Sequence, residues 1–178
     1  FDIPLARPAE LARLTETVCA AAQSLAKRPV EVATNLRVPG SFWHARWGYL
    51  TNGPGLAAVG LALERRYRGV VIGASYQYRD LFPWGSHPLT DPLLGTSRLR
   101  VLHDGAAFGR VDKTTCIARF APAMQRLRVC WNEEAASNCG RCAKCYRTMA
   151  TLEVLGVREG CPAFPDTFSL QRLGNVLA

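Results

Sequence analysis

Four of the seven cysteines in this 178-residue chain fall within sixteen residues. They follow the spacing C-x8-C-x2-C-x2-C, at Cys130, Cys139, Cys142 and Cys145. Two overlapping C-x2-C steps place three sulfurs in a tight loop that leads into a predicted helix, where backbone amides and the positive helix end favour thiolates. Cys130, at the end of a predicted strand, can complete a tetrahedron. Four soft thiolates select zinc and leave no position open for a substrate, so the spacing predicts a structural zinc site.

Other roles for the cysteines are alternatives to a structural zinc site. An iron-sulfur cluster also takes four thiolates, whereas a redox dithiol needs fewer than four closely spaced cysteines. Disulfides are typical of small secreted chains. This sequence shows no signal peptide, so we expect a reducing, cytoplasmic compartment. The remaining cysteines, Cys19, Cys116 and Cys161, are expected to be small buried apolar side chains.

Composition and charge exclude several classes of protein. Hydrophobic residues make up 48% and charged residues 20%, which is ordinary globular usage rather than that of a disordered or fibrous chain. No run approaches the roughly 18 apolar residues that a membrane helix needs. The net charge of +8 favours a phosphate-bearing partner. Basic residues are nevertheless spread evenly and arginine supplies all but three of the 22, which argues against a dedicated nucleic-acid arm.

Apolar periodicity predicts that helices and strands alternate along the chain. Helical patterns cover residues 8–27, 52–67, 112–120 and 141–155, and strand patterns cover residues 30–34, 70–72, 99–102 and 127–131. The alternation predicts a single α/β domain over residues 1–178, with a Rossmann-like, mostly parallel sheet and flanking helices. Val70 to Ile72 read as a strand buried on both faces. The cysteine site would lie in a strand-loop-helix segment, residues 130–157.

Ligands of such sheets bind outside the carboxyl ends of the strands, where this sequence has long loops. The loop over residues 75–97 alternates flat rings with hydrogen-bonding groups, which can sandwich a planar ring or line a carboxylate pocket. A packed lid is the alternative. His87 and His103 are candidate acid-base groups. The candidate substrate-binding residues are Tyr76, Tyr78, Asp80, Trp84, Ser86, His87 and Asp91.

Four further residues are candidates for binding the phosphates of a nucleotide. Gly53 and Gly55 open a predicted helix, where free amides can hold a phosphate, although glycines there are also ordinary turn residues. Arg37 and Arg110 are candidate bidentate clamps for phosphate, with exposed surface arginine as the alternative.

The cysteine motif, led by residues 138–140 (NCG), resembles the zinc motif of the N-type ATP pyrophosphatases. This group belongs to the adenine-nucleotide α-hydrolase superfamily, and the motif is similar to that of its 7-cyano-7-deazaguanine synthases. Residues 110–113 (RVDK) are similar to a late lysine-containing segment of that group. Residues 75–92 lie where the synthases carry a substrate loop, but the sequence of these residues looks more like that of another bacterial branch of the superfamily.

The resemblance implies a HUP-type Rossmann-like fold, a structural zinc, and ATP with Mg²⁺ as co-substrate. It implies an enzyme that adenylates a small carboxylate-containing or planar substrate and releases pyrophosphate. Lys113 and Arg110 would be catalytic, stabilising the charge that develops on phosphate. The superfamily's SGG-x-D-S phosphate loop does not occur in this sequence, and Phe1 to Ile3 resemble the end of the second strand. We therefore expect either a missing amino-terminal segment, which another chain could also supply, or a lost phosphate cradle.

The alternative hypothesis is a zinc-stabilised module that binds nucleic acid or another partner without ATP chemistry. A homodimer also stays open.

Overall fold

The computed structural model describes residues 5–130, 132, 137–165 and 168–177. The chain divides into two compact units, one formed by Phe1–Glu31 with Arg110–Ala178 and the other by Val32–Gly109. The single domain expected over residues 1–178 stays a prediction. In chain order the helices are α1 (Pro8–Ser24), α2 (Phe42–Ala45), α3 (Asn52–Ala62), α4 (Arg110–Ala118), α5 (Ala121–Met124), α6 (Ala143–Val154) and α7 (Leu170–Leu177), and the strands are β1 (Gly69–Gly73) and β2 (Arg100–Asp104).

The first unit is built around α6. One face of this helix is buried, because Cys145, Tyr146, Met149 and Leu152 follow the three-and-four spacing of an amphipathic helix. Helices α4 and α7 contact α6, and α5 contacts α4. The buried core comprises Met124, Cys130, Cys145, Tyr146, Met149, Leu152, Cys161 and Phe164. Two of the four clustered cysteines are therefore core residues of this unit.

The second unit packs α3 against a small parallel sheet. Strands β1 and β2 pair in parallel, in the register Gly69 with Arg100 through Gly73 with Asp104. The core beneath α3 consists of Ala57, Ile72, Leu99 and Val101. Gly60 allows the close approach of α3, because a Cβ there would lie 3.0 Å from Val70 Cγ1. A π-helical turn, Trp47–Thr51, runs directly into α3. In the part of the chain that the structure describes, no helix combines the length and apolar character needed to cross a bilayer.

Four predicted helices are confirmed, with ends that differ by a few residues. They are α1, α3, α4 and α6. The strands at residues 70–72 and 99–102 are also confirmed. The coarse prediction of a mixed helix and strand fold with a parallel sheet and a carboxyl-terminal four-cysteine cluster is therefore correct.

Two strand predictions are wrong. Residues 30–34 form no strand, and Val30 and Val32 are 50% and 41% exposed. Residues 127–130 form no strand either, because the amides of Val129 and Cys130 bond to the side chain of Asn138 rather than to a neighbouring strand. The helix of the predicted strand-loop-helix segment is therefore present and residues 127–130 are not a strand, while residues 131 and 133–136 lie outside the described residues.

The sheet is also smaller than predicted. Within the described ranges it has two strands, and Val71 is 62% exposed. The apolar run of β1 is therefore not buried on both faces. Cys116 is exposed as well, contrary to the prediction of a buried thiol, whereas Cys161 is buried as expected.

Candidate functional site

The four clustered cysteines converge on one point in the first unit. Their sulfur atoms all lie within 4.8 Å of one another. Cys130 Sγ is 3.9 Å from Cys142 Sγ, Cys139 Sγ is 3.9 Å from Cys145 Sγ, and Cys142 Sγ is 3.5 Å from Cys145 Sγ. Zn–S bonds of about 2.3 Å place tetrahedral sulfurs about 3.8 Å apart. The four side chains thus have the spacing of a shell around one ion, and the sulfurs are too far apart to be disulfide-bonded.

The backbone around the cluster is arranged to hold thiolates. Cys142 is the residue that caps α6, and Gly140 adopts the left-handed conformation with φ of +64°, which glycine reaches without steric cost. The amides of Arg141 and Cys142 each donate to Cys139 Sγ at 3.4 Å. The amide of Asn132 donates to Cys130 Sγ at the same distance. Such donors stabilise negative charge on sulfur.

Asn138 ties the two parts of the cluster together. Its Oδ1 accepts from the amides of Val129 and Cys130 at 2.9 and 3.2 Å. Its Nδ2 donates to the carbonyl oxygens of Leu127 and Ala163 at 2.7 and 2.9 Å. The residue is 5% exposed. One buried amide therefore fixes Cys130 next to the loop that carries the other ligands. Asn138 directly precedes Cys139 in the motif, but no sequence pattern indicated this role.

Without a metal, the thiols of Cys130, Cys139 and Cys145 do not ionise alike. Burial raises the pKa of Cys130 and of Cys145, and at Cys145 the hydrogen bond with Cys142 adds to the effect. Burial also acts to raise the pKa of Cys139, but the amides of Arg141 and Cys142 outweigh it and lower that pKa to about 7. A cation is the partner that brings all four to the thiolate form. The donor set and its spacing therefore fit a metal such as zinc.

The second unit contains a different cluster, centred on Asp91. This aspartate is fully buried at the start of the 3-10 turn Asp91–Leu94. Its Oδ2 accepts a hydrogen bond from Ser86 Oγ at 2.6 Å and lies 2.7 Å from His103 Nδ1. Its Oδ1 accepts from the amide of His87 at 3.1 Å. The structure thus joins three of the predicted substrate-binding residues, and adds His103 from the end of β2.

The start of α3 closes over this cluster. The amide of Gly53 donates to the carbonyl oxygen of Gly85 at 3.0 Å, and a Cβ at Gly53 would meet that oxygen and lie 2.6 Å from Asp91 Oδ1. A Cβ at Gly55 would lie 2.9 Å from the ring of Trp47. Both glycines are therefore required by close packing, and the Gly53 amide already has a partner. Their predicted contact with a nucleotide stays a prediction.

Aromatic rings form a second group in the same unit. Tyr76 contacts Phe82 and Trp84 edge to face, with ring centroids 4.6 and 5.6 Å apart. Tyr49 contacts Trp84 at 5.3 Å. Among the described residues, Trp84 Nε1 is buried without a hydrogen-bond partner. The structure therefore groups the predicted Tyr76 and Trp84. No sequence signal indicated Tyr49, which lies far from them along the chain.

The other predicted site residues lie elsewhere. Tyr78 is 60% exposed, and Asp80, also exposed, pairs with Gln77 and Arg79. Arg37 lies over the ring of Trp47, with its Cζ 5.0 Å from the ring centroid. Arg110 and Lys113 are in the first turn of α4, which belongs to the first unit. The roles assigned to these residues stay predictions.

Comparison with protein-family models, with curated proteins and with solved structures finds no significant match to this chain.

Proposed function

We propose that this protein is a zinc-containing, ATP-dependent enzyme that adenylates a small carboxylate-containing substrate. The carboxylate oxygen attacks the α-phosphorus of ATP, pyrophosphate leaves, and a nitrogen or sulfur nucleophile then displaces AMP from the acyl carbon. The observation that carries the proposal is the buried Asp91 cluster at the carboxyl end of β2. This is the place where open α/β sheets bind their ligands.

The four-cysteine site supports the proposal in a second way. It is the most specific part of the resemblance to the N-type ATP pyrophosphatases, and its spacing fits a single tetrahedral ion. Four protein thiolates would fill the shell of a zinc ion, so the ion supplies rigidity and no open coordination position. In this proposal β1 and β2 belong to a Rossmann-like sheet of the superfamily type.

The residues of the second unit would position the substrate. Asp91 fixes the Ser86 hydroxyl and the backbone of His87. Trp84, two residues before Ser86, is a flat apolar ring whose N–H donor is buried without a partner among the described residues. Such a combination suits a planar substrate that carries polar groups. The resemblance assigns to Lys113 and Arg110, on α4 of the first unit, the stabilisation of charge that develops on the phosphates of ATP bound with Mg²⁺.

The test is pyrophosphate exchange into ATP by the zinc-loaded, full-length gene product. The assay contains Mg²⁺ and a panel of heteroaromatic carboxylates that includes nicotinate and indole carboxylate. We expect acid-dependent exchange that Lys113→Met lowers about 100-fold, as for the loss of one phosphate-stabilising group. Lys27→Met, a matched change at an exposed lysine, leaves the rate unchanged.

A defined result would contradict the enzyme proposal. A protein that exchanges no pyrophosphate with any acid, and instead binds RNA with an affinity that falls steeply with salt, is a nucleic-acid-binding module. That outcome replaces the enzyme proposal.

A further inference from the structure

His103 lies near the carboxyl end of β2, on the edge where open α/β sheets bind their ligands. It is the fourth residue of β2 and pairs in register with Ile72 of β1, close to the carboxyl ends of both strands. Side chains alternate along a strand, so His103 shares a face with Val101, which belongs to the core beneath α3. The His103 side chain is only 2% exposed, and that of its partner Asp91 is fully buried.

The contact with Asp91 decides which ring nitrogen of His103 carries the proton. An ionised carboxylate only accepts hydrogen bonds, so the 2.7 Å contact places a proton on Nδ1. A neutral ring then has its lone pair on Nε2. His87 has the opposite arrangement, because its Nδ1 accepts from the amide of Leu89 at 3.2 Å, which places the proton of a neutral ring on Nε2.

The carboxylate that holds His103 is itself held firmly. Asp91 Oδ2 also accepts from Ser86 Oγ, and Oδ1 accepts from the amide of His87. Among the groups that the structure describes, none forms a hydrogen bond with Nε2 of His103. The ring is thus oriented through one nitrogen, while the other remains for a ligand. A histidine oriented by a buried aspartate in this way is suited to accept a proton.

We propose that His103 is the general base of the transfer step and that Asp91 is its positioning residue. This inference rests on the proposed function. As the lone pair of an attacking amine forms the bond to the acyl carbon, Nε2 takes a proton from that nitrogen. The C–O bond to AMP breaks, and AMP leaves with the electron pair. The ring becomes an imidazolium, and Asp91 keeps its hydrogen bond to Nδ1 without accepting that proton. Transfer of the proton from Nε2 to solvent restores the base.

Two substitutions separate this role from a structural one. In His103→Asn the side-chain amide nitrogen replaces Nδ1 and can still donate to Asp91, but nothing replaces Nε2. We expect this variant to keep its melting temperature and its pyrophosphate exchange, while AMP release with ammonia as nucleophile falls about 100-fold or more. Hydroxylamine, which attacks without the help of a base, restores release. The control His44→Asn changes neither rate.

Each contrary result has a distinct meaning. If His103→Asn releases AMP with ammonia at the wild-type rate, or loses exchange and transfer in equal measure, His103 is not the base. If wild-type protein shows no exchange with any acid of the panel, the proposed function is wrong and the assignment of His103 falls with it.

A measurement on the unaltered protein covers the case in which the variant does not fold. The chain has three histidines, so a ¹⁵N-histidine NMR spectrum contains three imidazole rings. We expect neutral His103 to carry its proton on Nδ1 and neutral His87 to carry its proton on Nε2. A proton on Nε2 of neutral His103 overturns the inference without any activity assay.

Discussion

Replacing Cys145 with serine tests the metal site at its most buried ligand. Cys145 is fully buried, and its sulfur lies 3.5 Å from Cys142 Sγ and 3.9 Å from Cys139 Sγ. Serine has nearly the same shape, but its hydroxyl is a poor zinc ligand at neutral pH. The change therefore removes one of four metal bonds and disturbs the surrounding core little.

The size of the effect follows from the ligand count. Structural zinc sites bind with about 10–16 kcal/mol, so one of four equivalent sulfurs accounts for roughly 3–4 kcal/mol. At about 1.4 kcal/mol per tenfold change, the zinc affinity falls by a factor of several hundred. In a chain of this length each kcal/mol corresponds to about 2–4 °C in melting temperature. At a free zinc concentration that saturates both proteins, we therefore expect the melting temperature to fall by about 10 °C.

Competition with a chromogenic chelator gives the affinity, elemental analysis gives the stoichiometry, and calorimetry gives the melting temperature. Wild-type protein should contain about one zinc per chain. Cys116→Ser is the control, since Cys116 is exposed and lies outside the cluster, and it should change none of these values. The reasoning is refuted if Cys145→Ser binds zinc as tightly as wild type, or if the wild-type protein contains iron with visible absorption.

Three further predictions follow from the structure. Asn138→Ala removes four hydrogen bonds and should lower the free energy of unfolding in urea by about 3 kcal/mol; a loss under 1 kcal/mol contradicts the proposed role. Gly53→Ala should cost about 2 kcal/mol or more, because its Cβ would lie 2.6 Å from Asp91 Oδ1, whereas Gly73→Ala, with nothing within 4 Å, should cost clearly less. In zinc-free protein, alkylation of Cys139 should slow as the pH falls through about 7. The lowered pKa of Cys139 makes its thiolate the main form only above that value. Peptide mapping by mass spectrometry measures the alkylation rate, and a rate that is the same at pH 6 and pH 8 would contradict this prediction.

The sequence predicts well those parts of the fold that depend on local spacing. Apolar spacing predicted α1, α3 and α6. In α6 it corresponds to burial at three-and-four intervals, whereas α1 has no buried residue and α3 buries Gly53, Gly55, Ala57 and Gly60. The cysteine spacing likewise predicted the cluster, since two C-x2-C steps at the start of a helix bring sulfurs together by local geometry alone.

The wrong prediction of a strand at residues 127–131 has a non-local cause. Leu127 and Val129 have the apolar alternation of a strand and do pack against the core of the first unit. A strand also needs a partner backbone, and here the side chain of Asn138 takes its place. No periodicity encodes such a substitution.

The Asp91 cluster also depends on contacts that the local sequence pattern does not encode. The sequence indicated Ser86, His87 and Asp91 through the polar and aromatic character of their loop. The hydrogen bond from His103 Nδ1 to Asp91 joins residues twelve positions apart and depends on how the loop folds back onto β2. The pairing of Tyr49 with Trp84 likewise depends on tertiary packing.

Cys130 and Cys145 belong both to the proposed metal shell and to the apolar core of the first unit. Once an ion is bound there, its removal also lowers the stability of this core. A chelator would then act on it as a denaturant does, and the availability of zinc during biosynthesis would set the yield of native protein.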